Sequence, residues 1–177
     1  MTCQSLSTSR SADGDHAMSP SPAERFWAKV SKGPRPDDCW LFTGAVSDDG
    51  YGRFTLNADG HTQAIRPHRF AFHLVHDVPL DSFGDLMHRC DVPICVRATT
   101  GTDTHLDPGT NRENMADRLA KGRDSNGSMF RWRGLSRALF ADRSRRLRDE
   151  ARAHGWDRED RIRALLTGAD PDAPTLF

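Results

Sequence analysis

Apolar positions come in short bursts divided by turn residues, and a sustained helical period appears only in the C-terminal third. ERFWAKV (24–30) sets Phe26, Trp27 and Val30 at i, i+1 and i+4, which predicts a short amphipathic helix. Gly33, Pro34 and Pro36 end it. The apolar run CWLFTGA (39–45), then YGRFTL (51–56) and HTQAIR (61–66), read as three short strands, separated by the turn sequences SDDG (47–50) and NADG (57–60). Strands of this length with such turns predict a small antiparallel meander. Pro67 suits the first turn of a helix, where its missing N–H costs nothing, and Phe70/Leu74 and Ala71/Val75 continue that helix to Pro79.

TNRE (110–113) is a capping box, with Thr110 as N-cap and Glu113 reaching back. Met115, Ala116, Leu119 and Ala120 form the stripe this helix is expected to bury, and Gly122 stops it. DSNGS (124–128) is a break. Beyond it, helices are expected over about 135–154 and 157–166, closed by Gly155 and Gly168. The pattern divides the chain into a Ser-rich disordered tail (1–22), a domain (23–123), a linker (124–130) and a helical tail (131–177). The expected class is α+β: a small antiparallel meander or hairpin followed by C-terminal helices.

Composition narrows the function. With 177 residues and 36% hydrophobic content, one modest core is expected. No apolar run approaches the roughly 20 residues that span a bilayer. The N-terminal MTCQSLSTSR lacks the basic start and apolar stretch of a secretory signal. A cytoplasmic chain without a membrane partner is the expectation. Net charge is zero, but it is unevenly spread: residues 112–163 carry fifteen bases and nine acids, a net +6. Arg outnumbers Lys by 22 to 3, and the planar guanidinium suits phosphate. Arg131, Arg133, Arg137, Arg143, Arg145, Arg146 and Arg148 are therefore candidate DNA contacts, with a solvated helix face as the competing reading. The same helices could instead pair with a second copy of the chain.

The chemistry gathers in DLMHRCDVPICVRATTGTDTHLD (85–107). Cys90 and Cys95 bracket a tight loop, so both thiolates can face one site. Structural zinc takes four N or S ligands. Cys39 is the third candidate and His68 the first candidate for the fourth, unless these cysteines are simply small buried hydrophobes. His88 stands before the Cys loop and His105 before the capped helix. Phosphodiester hydrolysis needs a base, a divalent ion and a positive surface. A neutral His on a strand can supply the base, and a His beside the helix can bind the ion.

From CWLFTGA through GYGRF (50–54), PHRFAFHLVH (67–76), HRCDVPIC (88–95) and HLDPGTNRENMADRLAKGR (105–123), the order of motifs resembles the small HNH (His-Me finger) endonucleases common in bacteriophages and prophages. The resemblance implies a ββα-metal fold that cleaves DNA, most readily duplex DNA, inside a bacterial host. It implies His88 as general base and His105 as ligand of a catalytic Mg²⁺ or Mn²⁺. It makes Cys39, Cys90 and Cys95 the structural zinc ligands, and His68 corresponds to the His of the family's HR segment. Asn114 matches an Asn expected to tie helix to hairpin. Three features depart from the family. Arg97 replaces an Asn and is a candidate catalytic or phosphate-binding residue. About five extra residues (99–103) precede His105. Met87 stands where many relatives have a carboxylate, which leaves Asp85 as the candidate acidic ligand. The competing functions are a zinc-stapled DNA-binding module without catalysis and a zinc protein that binds another protein.

Overall fold

Ser21 fixes where the first helix begins. Its hydroxyl accepts the Glu24 N–H at 3.2 Å, and the Glu24 carboxylate accepts the Ser21 N–H at 2.7 Å. This closes a capping box on α1 (Pro22–Trp27). The computed structural model describes residues 19–58, 61–120, 137–169 and 171. Most of the expected disordered tail and all of the 124–130 linker lie outside them, but Ser21 and Pro22 belong to the ordered helix start.

The chain is α+β, with small antiparallel sheets and C-terminal helices. β1 (Val30–Lys32) pairs with β2 (Trp40–Phe42). β3 (Ala45–Val46), β4 (Gly52–Ala58) and β5 (His61–Ile65) form the meander. The run 39–45 therefore does not make the single strand its apolarity suggests. It breaks at Gly44, where a Cβ would lie 2.4 Å from the Phe42 ring folded over it. Only glycine lets the chain leave β2 beneath that ring.

α2 (Pro67–His76) starts at Pro67 as expected and ends at Asp77, in a left-handed conformation with φ 51°. β6 (Asp85–His88) and β7 (Leu106–Gly109) form a hairpin with unbroken register from Asp85↔Gly109 to His88↔Leu106. α3 (Asn111–Ala120) follows directly, and its predicted box is present, with Thr110 N–H donating to Glu113 at 2.7 Å. Its apolar stripe is not buried as expected: Met115 is 49% and Leu119 56% exposed. α3 instead turns its half-buried Asn114 and Asp117 edge inward, and Asn114 reaches Asp85 of β6.

Two cores hold these elements. In the first, Phe26, Phe42, Phe54 and Phe70 interlock, with Phe26 edge-on to Phe70 at 5.1 Å and Phe54 stacked on Phe70 at 5.2 Å. The second joins Cys39, Leu41, Val92, Ile94 and Cys95 to Leu147 and Ala151 of α4 (Arg137–His154) and to Ile162 and Leu165 of α5 (Glu159–Thr167). The helical tail is thus packed onto the cysteine loop rather than hung beside the domain. Both helices stop near where their glycines predict, Gly155 and Gly168 having φ 59° and 81°.

Candidate metal centre and adjoining recess

Backbone pairing assembles the cysteines. Phe42 N–H donates to Ile94 O at 2.9 Å and Val96 N–H to Trp40 O at 2.8 Å, so β2 and the 94–96 segment run side by side. This brings Cys39, just before β2, next to Cys95. Asp91, at φ 56°, turns the chain between Cys90 and Cys95. The hairpin ladder extends one step past β6, with Arg89 N–H donating to His105 O at 3.0 Å. That step sets His105 beside Cys90.

Cys39, Cys90, Cys95 and His105 offer ligand atoms that all lie within 4.8 Å of one another. His105 Nδ1 is 3.6 Å from Cys39 Sγ and 3.5 Å from Cys95 Sγ. Zn–S near 2.3 Å and Zn–N near 2.0–2.1 Å put tetrahedral S···N edges at about 3.6 Å, so the spacing fits a metal such as zinc. Burial pushes Cys95 strongly up, and the hydrogen bond to Cys90 pushes Cys39 up, while the Cys39 and then the Cys95 thiols hold Cys90 far down. A bound cation would favour the thiolate form of all three sulfurs.

The fourth member is His105, not His68. His68 opens α2 on the far side of His88: its ring centroid is 4.8 Å from that of His88 and 5.6 Å from Tyr51. Burial, then the charges of His88, Arg69 and Arg66, hold its imidazole well below the usual range. A depressed histidine stabilises the fold fully above its unfolded value of about 6.5, and that stability is lost as pH falls below it. The thermal midpoint of the wild type is therefore expected to drop between pH 7.5 and 5.5 more steeply than that of His68→Gln. Parallel slopes in differential scanning calorimetry would contradict this assignment.

His88 is 6% exposed, and its Nε2–H donates to Cys95 O at 3.0 Å. A carbonyl only accepts, so this bond places a proton on Nε2. His88 also lines a small, open recess together with Met87, Asp91, Asn114, Asp117 and Phe140. Asn114 and Asp117 come from one face of α3, Phe140 from α4. Asn114 Nδ2 donates to Asp85 Oδ2 at 3.1 Å, which places Asp85 beside the recess-lining amide. The bond ties α3 to the hairpin, as expected of Asn114 from the sequence; Asp117 is a recess residue that the sequence did not single out. Their i, i+3 spacing just after the hairpin was the available signal.

Arg97 is not on the recess wall. It is 4% exposed, and its Nε donates to Asp103 O at 2.7 Å, its Nη1 to Asp38 O at 3.0 Å and its Nη2 to the Asp103 carboxylate. These bonds turn it inward, away from the phosphate-binding or catalytic role expected of it. The α4 arginines are also partly spent: Arg137 pairs with Asp48 at 2.7 Å, Arg143 donates to Asp91 O at 3.3 Å and Arg145 to Ser47 O at 3.5 Å. Arg148 pairs with its neighbour Asp149, and Arg146 is half-buried. Arg131 and Arg133 lie outside the described residues.

Fold and site thus define an α+β protein built around a Cys3His cluster that can hold a metal. The chain is similar to two proteins of Escherichia phage T7. It is 33% identical to Protein 7.7 over 91 residues, 51% of this chain and 62% of that protein. It is 32% identical to Protein 2.8 over 89 residues, 50% of this chain and 55% of that protein. The chain therefore spans less than two thirds of the length of either relative. No family model matches it, and no solved structure does. No helix among the described residues is long and apolar enough to cross a membrane.

Proposed function

We propose that this protein is a phage-type, metal-dependent DNA endonuclease of the HNH class, with the β6–β7 hairpin and α3 forming its ββα-metal unit. The observation that carries the reading is the convergence of His88, from β6, with Asn114 and Asp117, from α3, on one recess. Nδ1 of His88 would take the proton of the attacking water, while the Nε2–H bond to Cys95 O holds the ring in position. The amide oxygen of Asn114 and the carboxylate of Asp117 are hard donors that suit Mg²⁺ or Mn²⁺. Such an ion, when bound, supplies charge stabilisation at the scissile phosphate and the leaving oxygen. Asp85 accepts from Asn114 Nδ2, so the amide oxygen faces away from Asp85. This reading moves His105 from the catalytic ion to the sulfur cluster and gives Asn114 the ion. Zinc is the metal the Cys3His set suits best. The +6 segment supports a DNA partner, since basic side chains carry the contacts to a phosphate backbone.

Met87, a thioether on the recess wall, favours a second reading: a zinc-stapled DNA-binding module without catalysis. The test is the metal response of plasmid nicking. The endonuclease reading expects nicking on addition of Mg²⁺ or Mn²⁺, with Asn114→Ala needing at least about tenfold more Mg²⁺ for half-maximal rate. Retarded migration of DNA with no cleavage in either metal would establish the second reading instead.

A further inference from the structure

The bend that delivers His105 to the sulfurs spans residues 98–104, is rich in small polar residues, and has no strand pairing of its own. A loop of this composition would wander through many conformations, and each would have to be given up when His105 binds a metal. Two backbone bonds close its base: His105 N–H donates to Arg97 O at 2.9 Å and Arg89 N–H to His105 O at 3.0 Å. Within the loop, the Arg97 guanidinium reaches across and takes both the backbone oxygen and the carboxylate of Asp103. The other carboxylate oxygen of Asp103 accepts from Thr99 Oγ1 at 2.7 Å, stitching the two ends of the loop together. The third arm of Arg97 donates to Asp38 O, the residue next to Cys39. One buried cation therefore ties the segment before His105 to the segment before Cys39.

We infer that Arg97 and Asp103 form a clamp that presets the ligand arms of the metal centre, so that both are positioning residues for metal retention. The inference rests on the Cys3His reading of the cluster but not on endonuclease activity. Neither residue touches the metal. Arg97 is 4% exposed, and a guanidinium left at that depth without its carboxylate has strong reason to shift its surroundings. The movement would be felt at His105 and Cys39 together.

The experiment uses the full chain, stripped of metal and titrated with Co²⁺, followed by Zn²⁺ competition against a chromogenic chelator. Co²⁺ bound by three thiolates and one imidazole gives intense visible bands that report tetrahedral geometry. Wild type is expected to show them. Asp103→Ala, a change at a side chain 44% exposed, is expected to raise the Co²⁺ and Zn²⁺ dissociation constants about 10- to 100-fold and to weaken or shift the bands. Asp103→Glu, which keeps the charge, is expected to restore most of the affinity. Arg97→Met should match Asp103→Ala, with circular dichroism of each variant confirming its fold. Should Arg97→Met fail to fold, the Asp103 pair decides alone. Affinity within twofold of wild type in folded Asp103→Ala would overturn the clamp while leaving the metal centre intact. A wild type that gives no thiolate–Co²⁺ spectrum would overturn the metal centre and the clamp with it.

Discussion

His105→Ala is expected to emerge from purification with its metal lost and its thermal midpoint lowered by about 10–15 °C. Cys95→Ser should behave in the same way. The expectation follows from where His105 sits: its Nδ1 lies 3.5–3.6 Å from two of the three sulfurs. Those sulfurs are also part of the core that seats the C-terminal helices, since Cys39 and Cys95 pack with Leu147, Ile162 and Leu165. Loss of the metal therefore loosens two things at once, the ligand loop and the helices docked on it. Binding energy at such a site is folding energy. A loss of about 3–5 kcal/mol in a chain of this size corresponds to the stated shift. Metal content by atomic emission and melting by calorimetry read the two effects separately. A His105→Ala protein that keeps one tightly bound zinc and melts like wild type would return His105 to the other role, as ligand of a catalytic ion.

His88→Ala is expected to lower the rate of DNA nicking by about 10²–10⁴-fold, the usual contribution of a positioned acid–base group. It should do so with one zinc still bound. His88 stands two residues from Cys90, yet it donates to Cys95 through the backbone oxygen and not the sulfur. Removing the ring would thus take away the proposed base without removing a member of the Cys3His cluster. The neighbours are less tolerant: the His68 ring packs against it at 4.8 Å, so a modest fall in melting temperature accompanies the change. His88→Gln, which fills more of that space, is expected to recover stability without recovering activity. This separates the chemical role of His88 from its packing.

The element pattern was largely legible from the chain. The TNRE box, the Pro67 start and the glycine stops at 155 and 168 are local signals, and the structure follows them. The split of 39–45 into two strands was not legible, because it depends on the Phe42 ring lying over Gly44, a contact set by tertiary packing. For the same reason Met115 and Leu119 misled. Their spacing marks an apolar face, but α3 is held by the polar Asn114–Asp85 contact on another edge. At the site, spacing found three of the four clustered ligands and chose the wrong histidine. The Arg89–His105 backbone bond that decides the matter is a register detail of the hairpin. Arg97 and residues 99–103 were read as two unrelated departures from the family pattern. In the fold they are partners, since the charge at 97 is met by the carboxylate at 103.

The proposed function divides labour between a sulfur-rich centre that would brace the fold and a recess, lined by His88, Asn114 and Asp117, that would act on DNA. Single-turnover nicking of a supercoiled plasmid, with zinc-loaded wild type and zinc-loaded His88→Ala compared in the same Mg²⁺ buffer, tests it most directly. The account predicts open-circular product from wild type only after Mg²⁺ is added, and at least a hundredfold less from His88→Ala. Equal nicking by the two proteins, or none from wild type in any divalent metal, would contradict it.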